Sequence, residues 1–108
     1  MKKILSLLAA VFVSSIFCLA QNDTIKILAI GNSFSVDAMT NHLYGMLEGA
    51  GYDDIHLGIL YVGGCSLDMH YNYLNADSAS YEYMENVSGK WTSTQNYKAS
   101  DAFKLTDW

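Results

Sequence analysis

Ile25-Lys26-Ile27-Leu28-Ala29-Ile30-Gly31-Asn32-Ser33-Phe34 is the stretch whose reading decides the fold. Its first six residues are apolar on both faces apart from Lys26, which suits a strand buried on both sides in a parallel sheet. Gly31-Asn32-Ser33 then breaks the extended chain. From Ser35 onward Met39, Leu43, Met46, Leu47 and Ala50 recur at helical spacing, with Gly49 and Gly51 at the end. Ser35 reads as the N-cap, and Asp37 in the first turn complements the positive end of the helix dipole. A second apolar run, Ile55 to Val62, interrupted by His56 and Gly58, completes a βαβ unit with a right-handed crossover. The joint at Ser33 projects a hydroxyl from the carboxyl edge of the sheet, where α/β proteins place their reactive groups.

Gly63-Gly64-Cys65-Ser66 closes the second run with a glycine turn, and parallel strands bring that turn to the same edge as Gly31 to Ser35. Leu67 to Ser100 is polar and rich in tyrosine, and short helices with irregular, lid-like structure are expected there. Ala102 to Trp108 reads as the end of a helix leading into a third strand beyond the last residue. The expected architecture is an α/β domain of flavodoxin-like, three-layer build around a parallel sheet. It is truncated after the first βαβ unit and the irregular Tyr-rich segment.

Met1 to Ala20 carries two lysines, an apolar run from Ile4 to Ala20 and a small residue before Gln21, the order of a secretory signal peptide. The run is short for a membrane span, and nothing later in the chain resembles a second one. Cleavage after Ala20 is preferred to lipidation at Cys18, because Phe17 stands where the lipoprotein signal requires a small residue. The expected organisation is therefore a signal peptide over residues 1–20 and an exported domain over 21–108, secreted or periplasmic. Loss of Lys2 and Lys3 would take the formal charge two units below the −5 of the whole chain. An acidic chain without arginine is a poor partner for nucleic acid, since phosphate binding draws on clustered Lys and Arg. Of the two cysteines only Cys65 lies past the leader, so no internal disulfide is expected, and a small buried residue in a tight turn is its preferred reading. With no disulfide, metal site or proline to brace so short a domain, the natural domain is expected to continue past Trp108.

A serine at such a turn acts as a nucleophile if a base removes its proton and backbone amides stabilise the oxyanion. Ser33 can supply the first amide. Gly64 can supply a second, because glycine lets the backbone approach a ligand closely. Against this, Gly31-Asn32-Ser33 can be a plain strand-to-helix connection in which Asn32 and Ser33 satisfy free amides.

The wider pattern favours chemistry. Ile-Gly-Asn-Ser-Phe-Ser after the first strand and Val-Gly-Gly-Cys-Ser-Leu after the second resemble the SGNH hydrolase superfamily, also called GDSL esterases and lipases. Within it the likeness is to a bacterial exported branch known only as a domain of unknown function, and it runs from about Ile25 to Trp108. The resemblance implies a serine esterase or deacetylase acting on O-acyl groups, with carbohydrate esters as a substrate class and no cofactor. It implies Ser33 as nucleophile and oxyanion amide, and Gly64 as the second oxyanion amide. The third-block asparagine and the late Asp-x-x-His pair of the superfamily have no counterpart here, so the chain alone is expected to be inactive or nearly so. Asp68-Met69-His70 has spacing one residue short and follows the second block, and is not assigned as that pair. The first block also reads Gly-Asn-Ser-Phe where the superfamily usually has Gly-Asp-Ser-Leu.

Asn32 and His70 are candidate substrate contacts, although a hydrogen-bonded structural role is the stronger reading of His70. His42, His56 and His70 contain no pair at the one-turn spacing of a helical zinc site, and no metal is expected. Tyr71 with Tyr73, and Tyr81 with Tyr83, could present rings to a sugar, but aromatic residues more often pack. A non-catalytic glycan-binding protein of the same fold is the rival reading. An anion cradle at Gly31 to Ser35 ranks last, having one glycine and no basic neighbour. Asn86-Val87-Ser88 fits the N-glycosylation pattern, against which the bacterial likeness argues. The sequence leaves the oligomeric state open.

Overall fold

The computed structural model describes residues 24–108. The signal-peptide reading of residues 1–20 falls outside them.

Strand β1 (Thr24–Gly31) runs into a helix built in three parts: α1 (Ser33–Ala38), a π-helical segment (Met39–Leu43) and α2 (Tyr44–Gly49). Strand β2 (Asp54–Tyr61) returns parallel to β1, with Thr24 opposite Asp54 and Gly31 opposite Tyr61. Helix α3 (Leu67–Asn75), strands β3 (Tyr81–Val87) and β4 (Lys90–Tyr97), and helix α4 (Ala99–Phe103) follow. The sheet order is β1-β2-β3-β4, and the pairs β2–β3 and β3–β4 are both antiparallel.

This pairing overturns the expected flavodoxin-like parallel sheet. The sheet is mixed, with one parallel and two antiparallel pairs. The Tyr-rich stretch is not an irregular lid: half of it is helix α3 and the other half is a hairpin. The cause lies at Ser88 and Gly89, whose φ angles of 55° and 89° make a two-residue turn matching the twist of antiparallel strands. Tyr81 to Val87 carries aromatic residues that fit a pleated surface on one side, and the turn sends Lys90 to Tyr97 back along it as an exposed, polar outer strand.

Both faces of the sheet are covered. Ile55, Leu57 and Ile59 of β2 share one face with Ile25 and Ile27 of β1, and pack against Met39, Val36, Leu43 and Leu47 of the first helix. Leu60, on the other face, joins Tyr81, Tyr83, Ala99 and Ala102, with Leu28, Tyr73, Leu74 and Trp108 packed around them. This period-two division on β2, buried on both sides, is what its nearly continuous apolar sequence requires. The residues after α4 do not lead outward into another strand within the chain. They turn back so that Lys26 Nζ donates to Thr106 Oγ1 at 2.7 Å, and the Trp108 indole N–H donates to the Ala102 carbonyl at 2.9 Å. None of the helices among the described residues is long and apolar enough to cross a membrane.

Candidate functional site

Asn32, not Ser35, is the N-cap of α1. Its backbone is extended (φ −116°, ψ −160°) and its side-chain oxygen accepts from Phe34 N–H at 3.2 Å. The helix therefore begins at Ser33, two residues earlier than the apolar spacing indicates. Ser35 has another constraint: a Cβ placed on Gly31 would stand 1.9 Å from Ser35 Oγ, so only glycine fits where β1 gives way to α1.

The same Asn32 side chain reaches the second turn. Its Nδ2 donates to the Cys65 carbonyl at 3.2 Å, and Val62 N–H donates to the Gly31 carbonyl at 3.2 Å. One amide thus caps the first helix and ties the Gly31–Ser35 turn to the Gly63–Ser66 turn at the carboxyl edge of the parallel pair. In the second turn Cys65 N–H donates to the Val62 carbonyl at 3.3 Å, with Gly64 at φ 64°, a conformation that disfavours a side chain. A Cβ at Gly64 would meet nothing within 4 Å, so the outer side of that turn is open.

Ser33 is exposed, and its hydroxyl has no hydrogen-bond partner among the described residues. As the first residue of α1 it lies in the turn whose N–H groups have no intrahelical acceptor. Phe34 beside it is 83% exposed. The structure thus brings Ser33, Asn32 and Gly64 to one edge, with both polar atoms of Asn32 already engaged within the protein.

His70 lies nearby in sequence but is turned into the fold. It is 7% exposed, its Nδ1 shares a 3.2 Å hydrogen bond with the Tyr81 hydroxyl, and the two rings stack with centroids 5.8 Å apart. Its Nε2 is buried and has no partner among the described residues. Asp68, two positions earlier on α3, is exposed and faces away, as residues two apart on a helix must. His42 is exposed on the π segment, and His56 is bonded through Nε2 to Glu85 at 2.6 Å. Among the described residues no group of three His, Cys, Asp or Glu side chains could hold a metal ion.

Cys65 is buried, donates to the Ser66 carbonyl, and burial pushes its thiol above the usual cysteine range, which disfavours the reactive thiolate. Ser66 caps α3 by accepting from Met69 N–H at 3.3 Å. The tyrosines separate by depth. Tyr81 and Tyr83 are core residues and offer no ring to a ligand, whereas Tyr71 is exposed. Asn86 is 1% exposed, with its side-chain oxygen accepting from Gly89 N–H at 2.8 Å, so the sequon asparagine is a hairpin brace and not an accessible acceptor.

Sequence reasoning missed one group of residues. Leu67, His70, Tyr71 and Leu74 of α3 line a cavity together with Ile30 of β1. The signal was their i, i+3, i+4, i+7 spacing, which the surrounding polar residues obscure.

Residues 26–108 match the family model described as a domain of unknown function, DUF4886. The chain is also similar to the crystal structure of a DUF4886 family protein from Bacteroides uniformis, with a TM-score of 0.74 and 36% sequence identity over 80% of this chain. The match takes in 33% of that protein's length, so this chain spans about a third of its solved relative. None of the curated proteins matches it.

Proposed function

The chain belongs to the DUF4886 family, and we propose that it carries the nucleophile-bearing part of an exported serine hydrolase of the SGNH type, an esterase acting on O-acyl groups. The observation that carries this reading is the Asn32 side chain, which joins the two turns and so holds Ser33 and Gly64 on one sheet edge. Ser33 Oγ attacks the ester carbonyl, and its proton passes to a base. The Ser33 and Gly64 amides take the negative charge that develops on the carbonyl oxygen. The alcohol departs, and water then cleaves the acyl-serine to release the acid and restore the hydroxyl. Among the described residues no imidazole or carboxylate is hydrogen-bonded to Ser33, so the base of this mechanism is sought in sequence outside them. Removing such a base costs several powers of ten in rate, while oxyanion stabilisation leaves a residue of catalysis.

The glycan-binding alternative loses much of its support because Tyr81 and Tyr83 are buried. The discriminating experiment is fluorophosphonate labelling of the full-length polypeptide that carries residues 24–108, with mass-spectrometric mapping of the adduct. A single adduct on Ser33, absent from Ser33→Ala, is expected. Labelling elsewhere, or none in a folded sample, sinks the esterase.

A further inference from the structure

Helix α3 keeps one apolar face that does not close on the sheet. Leu67, His70, Tyr71 and Leu74 look across at Ile30, and between them lies a cavity of about 390 Å³. That volume falls within the roughly 300–1,000 Å³ of small-molecule sites, which are mostly apolar with a few placed polar groups. Its mouth is not sealed by protein: Leu67 is 85% exposed and Tyr71 66%. The one polar wall group is His70. With the Tyr81 O–H donating to Nδ1, the ring proton sits on Nε2, a buried donor with no partner among the described residues. Such an atom costs on the order of 1–3 kcal/mol when left unpaired, and a ligand oxygen that met it would recover that cost.

The cavity also has a definite place in the chain. Ile30 precedes the Ser33 turn on β1, and Leu67 is the first residue of α3 after the Gly64 turn, so the two turns bound it at one end. We infer that this cavity is an acyl-binding site for a medium-length aliphatic chain, which makes the substrate of Ser33 a fatty-acyl ester and not an acetyl ester. The link to Ser33 rests on the esterase reading, whereas binding of the chain does not. An acetyl group is too small to use the apolar wall. An aliphatic chain buries its methylenes against Ile30, Leu67 and Leu74, each contributing about 0.8 kcal/mol of transfer free energy.

The test titrates octanoate, and acetate in parallel, into protein carrying carbon-13-labelled Ile and Leu methyl groups. Saturable shifts at Ile30, Leu67 and Leu74 with octanoate, and none with acetate at equal concentration, are expected. Leu67→Glu, at an exposed position that leaves the fold intact, should weaken octanoate roughly tenfold by setting a like charge beside the carboxylate. Equal response to acetate overturns the acyl site, as does silence at those methyls, including silence because another part of a longer polypeptide fills the cavity. The two readings fail separately. A Ser33 adduct without octanoate shifts removes the acyl site and keeps the esterase. Octanoate shifts without a Ser33 adduct keep the site and overturn its assignment to Ser33.

Discussion

Asn32 uses one amide for two purposes, accepting at Oδ1 from Phe34 N–H and donating at Nδ2 to the Cys65 carbonyl. A carboxylate of the same shape can do the first and not the second. Asn32→Asp therefore isolates the tie between the turns: the cap survives, and the carbonyl of Cys65 faces an acceptor in place of a donor. The expected loss is about 1–2 kcal/mol of stability, the range for an unmade buried hydrogen bond. Amide exchange should quicken at Cys65 and Ser66 while Phe34 stays protected, as read by residue-resolved hydrogen exchange. Uniform exchange at both turns would show that Asn32 does not link them. Sequence reading located this residue beside the nucleophile candidate but saw it as a substrate contact. A side chain that reaches from residue 32 to residue 65 leaves no trace in local spacing.

At the scale of elements, the strand-turn-helix at β1 and α1 and the parallel return at β2 were legible, because their apolar runs are long and periodic. The hairpin was not. β4 is Lys90-Trp91-Thr92-Ser93-Thr94-Gln95-Asn96-Tyr97, an outer strand whose exposed residues have no apolar partner to impose alternation. The informative letters were Ser88-Gly89, a turn pair flanked by aromatic and β-branched residues. Ser88 holds φ 55° without being glycine, and Asn tolerates that conformation better than Ser. Ser88→Asn is thus expected to stabilise the protein by roughly 0.5 kcal/mol through the hairpin turn. A higher urea midpoint at unchanged m-value would register it, whereas a lower midpoint would mean that the serine hydroxyl contributes more than the strain removes.

At the scale of the whole molecule, late residues brace early ones, and two links can be broken separately. Asp77 holds α4 in place by accepting from the Ser100 hydroxyl at 2.9 Å, with Lys98 Nζ at 3.7 Å. The Ser100 hydrogen bond comes first in holding its carboxyl below the usual carboxylate range. A depressed native pKa contributes stability that is present above the unfolded pKa and lost as pH falls through the folded one. Asp77→Asn should therefore lower stability at neutral pH and flatten its decline below about pH 4, as thermal melts across that range would reveal. The second link joins the end of the chain to the central strand. Trp108 lies over Gly58, where an added Cβ would stand 2.7 Å from the indole, and at 3.0 and 3.1 Å from Leu28 and Tyr83. Gly58→Ala in the native protein is overpacking and should cost about 1–3 kcal/mol. Trp108→Ala should cost roughly 2–3 kcal/mol, somewhat less than a fully buried tryptophan. In the double variant the nearest obstacle is gone, so the alanine at position 58 costs less and the two losses fall short of their sum by about 1 kcal/mol or more. A chemical-denaturation cycle over the four proteins measures that coupling. Strict additivity would mean that Trp108 does not rest on β2 in solution, and the two-sided burial of the sheet would then have to be argued without it.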